Sequence, residues 1–282
     1  MIFRSSLIAI VLAVLSACPS QARAHGAYHD VVEDIARKLV ITPNDAGLRF
    51  KLACAHQEHG EWELALIECE RVRRLSSGEH EVELIEGMAL AEGGLHEAAK
   101  SVLDALLAKQ PRHALALAQR GKVLLKLGKR VEAQKDFEEA LKLDSHAPSA
   151  WWLEAAKAGN AVEVLRKALR AHPDDPELLA ASLDAELKAG NADQALRCVD
   201  VLQKIAPRAE PWMARRAEVL TTAGRKAEAR EAWAALHRHL LSLPHLERGS
   251  PLLAGVLAQT QQALGIAAPA VVVAPPAPSP HP

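Results

Sequence analysis

The chain has 282 residues and a formal net charge of −1, and 49% of its residues are hydrophobic although only 3% are aromatic. A charge this close to zero argues against nucleic acid as a partner, because phosphate binding needs a basic face. The apolar share comes mainly from Ala and Leu, which form helices well and therefore favour helix packed on helix. The length suits one elongated repeat array or two compact domains.

The first 24 residues have the features of a secretory signal peptide. Arg4 precedes the apolar run Leu7–Leu15, and small residues lead to a cleavage site after Ala24. The run is too short to be a permanent membrane anchor. We therefore expect a periplasmic or secreted protein whose mature chain begins at His25.

A lipoprotein is the alternative for this leader. Leu15-Ser16-Ala17-Cys18 resembles a lipobox. In that case Cys18 would carry the lipid and become the first mature residue, and the protein would be tethered to a membrane only through this anchor.

A period of 34 residues runs through the middle of the chain. It is marked by glycines, by alanines five residues after them and by prolines between units, at Gly60, Gly94, Gly128, Gly190, Gly224, Ala65, Ala99, Ala133, Ala195, Ala229, Pro43, Pro111, Pro173 and Pro207. Glycine can adopt the left-handed conformation that ends a helix. Alanine lets two helices cross closely, and proline stops the next helix from continuing the last. The pattern predicts helical hairpins that stack and share a core.

The period and these residues resemble the tetratricopeptide repeat (TPR). The segment Ala114–Ser145 is the best match, and it has the family's marked residues at Gly121, Gly128, Ala133, Phe137 and Ala140. The resemblance covers roughly residues 30–243. It implies an all-α fold, a right-handed superhelical solenoid of antiparallel helix hairpins with capping helices at both ends. It also implies a protein or peptide partner, although TPR arrays serve many unrelated processes.

The predicted organisation begins with the signal peptide (1–24) and an N-terminal segment (25–45) whose capping helix spans His29–Ile41. The array (46–243) divides into repeats at 46–79, 80–113, 114–147, 148–175, 176–209 and 210–243, of which the fourth is six residues short. A C-terminal capping helix (244–266) opens at Ser250-Pro251 and carries Gln259, Gln261 and Gln262 on a polar side, as the exposed end of an array requires. The Pro- and Ala-rich tail (267–282) is expected to be disordered.

The resemblance also places a partner-binding surface on the first helix of each repeat, which lines the concave face in this family. The residues placed there by register are Phe50, Cys54, Leu84, Met88, Lys122, Leu125, Lys126, Trp152, Asp184, Arg215 and Glu218. Phe50 and Cys54 stand where chaperone-binding members carry a carboxylate clamp, so such a clamp is not expected. An alternative assigns Met88, Leu125 and Trp152 to the core shared by stacked hairpins.

No catalytic motif accompanies the repeats. The sequence lacks a glycine-rich phosphate loop, a Cys-x-x-Cys pair and a His-Glu-x-x-His run. Its Asp and Glu residues alternate with Lys and Arg, which is typical of solvated helix faces. We therefore expect a non-enzymatic interaction scaffold in the cell envelope, with no cofactor.

Two alternative functions and one alternative for the cysteines remain open at this stage. A terminal amine and imidazole at His25, with a further nitrogen from His29, could bind copper or another metal. The proline-rich tail would also suit an assembly factor linked to peptidoglycan or secretion. Cys54 and Cys69 could form a disulfide, but small buried thiols are the expected state of both and of Cys198.

Overall fold

The computed structural model describes residues 20–76, 81–144, 146–244 and 250–266, with side chains from Tyr28 onward. Its secondary structure consists, within these residues, of 14 α-helices and no strand. In chain order they are α1 Ser20–Ile41, α2 Ala46–Glu58, α3 Trp62–Leu75, α4 Val82–Glu92, α5 His96–Lys109, α6 Ala114–Lys126, α7 Arg130–Leu143, α8 Ser149–Ala158, α9 Ala161–Ala171, α10 Pro176–Lys188, α11 Ala192–Ile205, α12 Glu210–Thr222, α13 Lys226–Ser242 and α14 Pro251–Leu264. The predicted all-α fold class is confirmed.

The helices belong to two compact units, Met1–Ser145 and His146–Pro282. The first unit contains α1–α7, in which α2/α3, α4/α5 and α6/α7 are hairpins. The second contains α8–α14, with hairpins α8/α9, α10/α11 and α12/α13 followed by α14. None of the described helices is both long and apolar enough to cross a bilayer.

The glycines of the 34-residue period end the first helix of five hairpins. Gly60, Gly94, Gly128, Gly190 and Gly224 all have positive φ, between 72° and 82°. The residue after each glycine donates its backbone N–H to a carbonyl five residues earlier, for example Glu61 to His56 at 2.9 Å. This is the Schellman ending, which satisfies carbonyls that would otherwise lack partners. A side chain at these positions would therefore be strained.

The fourth hairpin departs from this pattern. Helix α8 ends before Gly159, whose φ of −109° lies outside the left-handed region, and only Gly159 and Asn160 connect it to α9. The Asn160 side chain then caps α9 by accepting the N–H of Glu163 at 3.4 Å. The short repeat therefore turns with an asparagine cap instead of a glycine ending.

Small residues let the helices of each hairpin approach. Ala65, Ala99, Ala133 and Ala195 are fully buried. A Cβ on Gly121 would lie only 2.9 Å from the Phe137 ring. The close approach needed for ridge-into-groove packing explains these residues.

The three described cysteines are free thiols. Cys69 is 1% exposed, and burial raises its pKa to about 12. Burial also raises the pKa of Cys54 and of Cys198. Cys54 and Cys69 contribute to one hydrophobic cluster without a disulfide, as expected for packed thiols.

Two terminal features differ from expectation. Helix α1 begins at Ser20, nine residues before the predicted start at His29, because the intervening residues include good helix formers such as Gln21, Ala22 and Arg23. Gln259 was expected on an outer polar side of α14, but its amide donates to Glu218 of α12 at 2.5 Å. The signal peptide through Pro19, Cys18 and the tail 267–282 lie outside the described residues.

Candidate partner-binding surface

In unit 1 the first helix of each hairpin is α2, α4 or α6. These three helices carry the predicted binding residues from Phe50 to Lys126. Phe50 and Cys54 are half-buried on α2 and pack against a cluster that includes Cys69, Val72 and Ile85. Leu84 is buried on α4 with 7% exposure. These residues serve mainly as core between the first two hairpins.

Lys122, Leu125 and Lys126 of α6, taken together with Met88 of α4, are what we call the basic–apolar patch. Met88 is half-buried on α4, and α4 contacts α6. Lys122 and Leu125 are half-buried on α6, and Lys126 is exposed. Spacings of three and four residues put the three α6 side chains on one face of the helix.

Neither lysine of the basic–apolar patch is neutralised by a side chain that the structure describes. Within the described part of the chain, no carboxylate forms an ion pair with Lys122 or Lys126, although α6 carries a well-paired arginine two residues before Lys122. That residue, Arg120, donates two hydrogen bonds of 2.7 Å to Asp136 and one of 2.8 Å to Asp104. Helix α6 therefore carries Arg120, which pairs with carboxylates of neighbouring helices, and two lysines that have no ion pair within the described residues.

In unit 2 the predicted residue Trp152 lies on α8. Its ring is half-buried and packs against Leu165, Ala168 and Leu178. Its indole Nε1 is buried and has no hydrogen-bond partner among the described residues. Trp152 therefore contributes to packing between α8, α9 and α10, as the core alternative proposed.

The other three predicted residues of unit 2 form a continuous charged network. Arg215 of α12 donates to Asp184 of α10 at 2.8 Å and to Glu218 at 3.1 Å. Gln259 of α14 extends the network by donating to the second oxygen of Glu218. The network thereby connects α10 and α12, each the first helix of its hairpin, with the C-terminal helix α14. The side chains of its two ion pairs are about a third exposed.

The structure shows buried acids that the sequence did not reveal. Glu68, Asp136, Glu186 and Glu210 are all less than 9% exposed, so the prediction that the acidic residues lie on solvated faces is wrong for these four. Each is paired with a cation or a histidine, because an isolated buried carboxylate is very costly. Repeat register could not identify them, since the pairing arginine often comes from a neighbouring helix.

The environment of Arg120 shows the electrostatic effect of such pairing. Partial burial acts to raise the pKa of Asp104, but its ion pairs with Lys100 and Arg120 outweigh burial and lower the pKa. Hydrogen bonds to Asp136 and Asp104 raise the pKa of Arg120. The lowered pKa keeps the Asp104 carboxylate charged at neutral pH. Through Arg120, Asp104 of α5 and Asp136 of α7 are both joined to α6.

Aromatic and imidazole rings fasten α1 to the first hairpin, which the sequence did not indicate. Tyr28 stacks on His59 with ring centroids 3.7 Å apart, and its hydroxyl lies 2.9 Å from Nδ1 of His56. Burial lowers the pKa of His56, against the opposing effect of Glu68 and Glu61. This contact links the capping helix to a titratable group.

The metal-site alternative stays a prediction. His29 is exposed on α1, and the His25 side chain lies outside the described set. No group of three or more His, Cys, Asp or Glu residues arranged for a metal is found in the described part of the chain.

Comparison with protein-family models identifies repeats in both units. Residues 114–147 match one tetratricopeptide repeat model, and residues 153–217 match another. A comparison with curated proteins gives no match.

Several solved structures share the fold. A tetratricopeptide repeat protein from Parabacteroides merdae is 16% identical with a TM-score of 0.51, covering 84% of this chain and 93% of that one. PilF from Pseudomonas aeruginosa is 16% identical with a TM-score of 0.54, covering 76% and 97%. A chain of the APC/C hetero-tetramer Cut9–Hcn1 is 18% identical with a TM-score of 0.53, covering 67% of this chain and 39% of that one. At these identities the similarity concerns the fold alone.

Proposed function

Because the chain is a tetratricopeptide repeat protein, we propose that it is a non-catalytic scaffold which binds a partner protein on the first helices of unit 1. The observation that carries this proposal is the basic–apolar patch. Its two lysines are not neutralised within the described chain, and they lie beside half-buried apolar side chains. A surface with available charge and adjacent apolar area is suited to protein recognition.

The chemistry of the basic–apolar patch defines the kind of partner. Lys122 and Lys126 lie one turn apart, so they can contact carboxylates that are one turn apart on a helical segment or close together on an extended one. Met88 on α4 and Leu125 on α6 are half-buried apolar side chains on two helices that contact each other. The preferred partner is therefore an acidic segment that carries one or two apolar anchors.

The corresponding surface of unit 2 supports a different role. Asp184 and Glu218 are already bonded to Arg215, so a partner would have to displace internal contacts in order to use them. We assign this network to holding α10, α12 and α14 together. This supports our proposal of a partner site in unit 1 and not in unit 2.

Affinity capture with charge-reversal variants tests the proposal. Mature protein would be used as bait in an envelope extract, and captured proteins would be quantified by mass spectrometry. Lys122→Glu/Lys126→Glu should reduce recovery of the main partner by about tenfold or more, because like charges would then face the acidic segment. Lys135→Glu/Lys142→Glu on α7 makes the same change in charge on a second helix, and it should retain capture.

Two results would reject the proposal. One is equal capture by wild-type protein and the Lys122→Glu/Lys126→Glu variant. The other is an equal loss in both variants, which would indicate a general charge effect. Circular dichroism of each variant checks that its helices are intact.

We also propose that the scaffold works in the cell envelope after removal of a leader. The support is the apolar run Leu7–Leu15, followed by small residues before His25. N-terminal sequencing of the native protein should find His25 as the first residue. A lipid-modified Cys18 would favour the lipoprotein alternative, and an unprocessed Met1 would reject export.

A further inference from the structure

A cavity of about 260 Å³ lies in unit 2 between α9, α10 and α11. It is next to the short fourth hairpin, whose second helix α9 has 11 residues, compared with 14 in α11. The volume corresponds to roughly eight or nine water molecules at ~30 Å³ each. A ligand of small-molecule size could therefore enter it.

Three arginines and one carboxylate make up the charged lining. Arg166 and Arg170 come from α9, Arg197 comes from α11, and Glu186 comes from α10. Glu186 is only 1% exposed. Since three cations share the cavity with one anion, the lining carries two excess positive charges.

Glu186 cannot balance the other two arginines because its oxygens are already used. Arg166 donates to its Oε1 at 2.6 Å and to its Oε2 at 2.9 Å, in the two-pronged geometry typical of guanidinium and carboxylate. Asn191 donates a third hydrogen bond to Oε2 at 2.8 Å. This neutralises Arg166 and fixes its position at the cavity wall.

Arg170 and Arg197 have no counter-ion among the described residues. Neither forms an ion pair or a hydrogen bond within the residues that the structure describes, and both are exposed. The acids of α9 and α11 are engaged elsewhere: Glu163 pairs with Lys167, Asp193 with Arg225 and Asp200 with Arg216. Two like charges at one cavity favour the entry of an anion.

The remaining lining residues are uncharged, and they indicate that the ligand also has an apolar part. Leu169, Leu179 and Val201 provide apolar walls, and Ser182 and Gln194 add polar groups. Inorganic phosphate would satisfy the arginines but would leave the apolar walls unused. An anion with two carboxylates and a short chain of methylene groups matches both features.

From this arrangement we infer that the cavity binds a short aliphatic dicarboxylate, with one carboxylate at Arg170, the other at Arg197, and the methylene groups against Leu169 and Val201. The site uses unit 2 and no part of the basic–apolar patch. It therefore adds a small-molecule ligand to the proposed scaffold and does not depend on the identity of the protein partner.

Titration of full-length mature protein with succinate tests the site. Isothermal calorimetry and ¹⁵N NMR would be performed at low, constant ionic strength, because the contacts of exposed arginines are screened by salt. Succinate should bind weakly, with a dissociation constant on the order of 0.1–1 mM, and should shift amide signals of α9, α10 and α11.

Matched variants separate the two arginines from overall charge. Arg170→Gln/Arg197→Gln should bind succinate at least about tenfold more weakly, since both charge-assisted contacts are removed. Arg208→Gln/Arg230→Gln makes the same change in charge at two other exposed arginines of unit 2 that lack partners in the described chain. This control should bind succinate as wild-type protein does.

Ligand analogues test the chemistry in the same way. Neutral succinamide should bind at least about tenfold more weakly than succinate, because it lacks both charges. Phosphate that binds as tightly as succinate would overturn the dicarboxylate assignment. So would unchanged succinate affinity in Arg170→Gln/Arg197→Gln, or no succinate binding at roughly 10 mM.

Discussion

Lys122 of unit 1 and Asp184 and Glu218 of unit 2 hold the same position in their hairpins, each the ninth residue of its helix. They differ in whether they form ion pairs. Asp184 and Glu218 are joined by Arg215, whereas Lys122 has no ion pair within the described chain. Repeat register therefore identifies equivalent positions in different hairpins, and pairing decides which of them are available to a partner.

Within α6, Arg120 is paired with carboxylates whereas Lys122 has no such pair among the described residues. Removing Arg120 should therefore have the largest effect on the free energy of unfolding. Arg120→Ala would leave the buried Asp136 and the half-buried Asp104 without their guanidinium partner. The free energy of unfolding should fall by about 3 kcal/mol, because an uncompensated buried charge is strongly destabilising. Urea denaturation followed by circular dichroism measures it.

The matched control for Arg120 is Arg112→Ala, which removes an exposed arginine of the same unit. It should change the free energy of unfolding by less than about 0.5 kcal/mol. Similar losses in both variants would show that the buried pairs contribute little to stability.

An intermediate loss of folding stability is expected when the paired Arg215 of unit 2 is removed, and a smaller one when Lys122 of unit 1 is removed. Arg215→Ala should lower the free energy of unfolding by about 1 kcal/mol, because Asp184 and Glu218 lose their partner while remaining partly solvated. Lys122→Ala should change it by less than about 0.5 kcal/mol. If Lys122→Ala were the more destabilising, the distinction between paired and available charges would be wrong.

The smallest effect concerns the capping helix α1. Burial lowers the pKa of His56, so the unfolded chain binds the proton more readily than the folded protein does. The stability that His56 contributes is present above its unfolded pKa of about 6.5 and is lost as the pH falls through its lower folded value. Hydrogen exchange of α1, corrected for intrinsic rates, should therefore be faster at about pH 5.5 than at about pH 7.5.

Two variants locate this pH effect. His56→Gln should remove most of the difference between the two pH values, whereas His29→Gln alters an exposed histidine on α1 and should preserve it. A pH dependence that persists unchanged in His56→Gln would rule out the Tyr28–His56 contact as its origin.

The parts of the fold that could be predicted from sequence are those fixed by local geometry. A left-handed residue is needed to end a helix tightly, and Gly60 and its successors supply it at a constant spacing. Contact between crossing helices requires small side chains, and Ala65 and Ala99 meet that need. These features recur because each hairpin packs its two helices together, and stacks on its neighbours, in the same way.

The parts that could not be predicted depend on distances between side chains of different helices. Nothing in the period shows that Glu186 is buried and bonded to Arg166, or that Arg215 reaches Asp184 from the next hairpin. The same applies to Trp152, whose register allowed a groove position but whose ring packs against α9 and α10. Side-chain pairing follows from the three-dimensional stacking of hairpins, which the spacing alone does not specify.

The central claim, that a partner is held on unit 1 and not on the equivalent surface of unit 2, can be tested by placing one photo-crosslinking residue at Lys126 or at Lys188. Both lysines are exposed and occupy the last position of their first helices. Irradiation of intact cells that express each variant should give a strong protein adduct from position 126 and little or none from position 188. Equal adducts from the two positions, or a stronger one from position 188, would contradict the account.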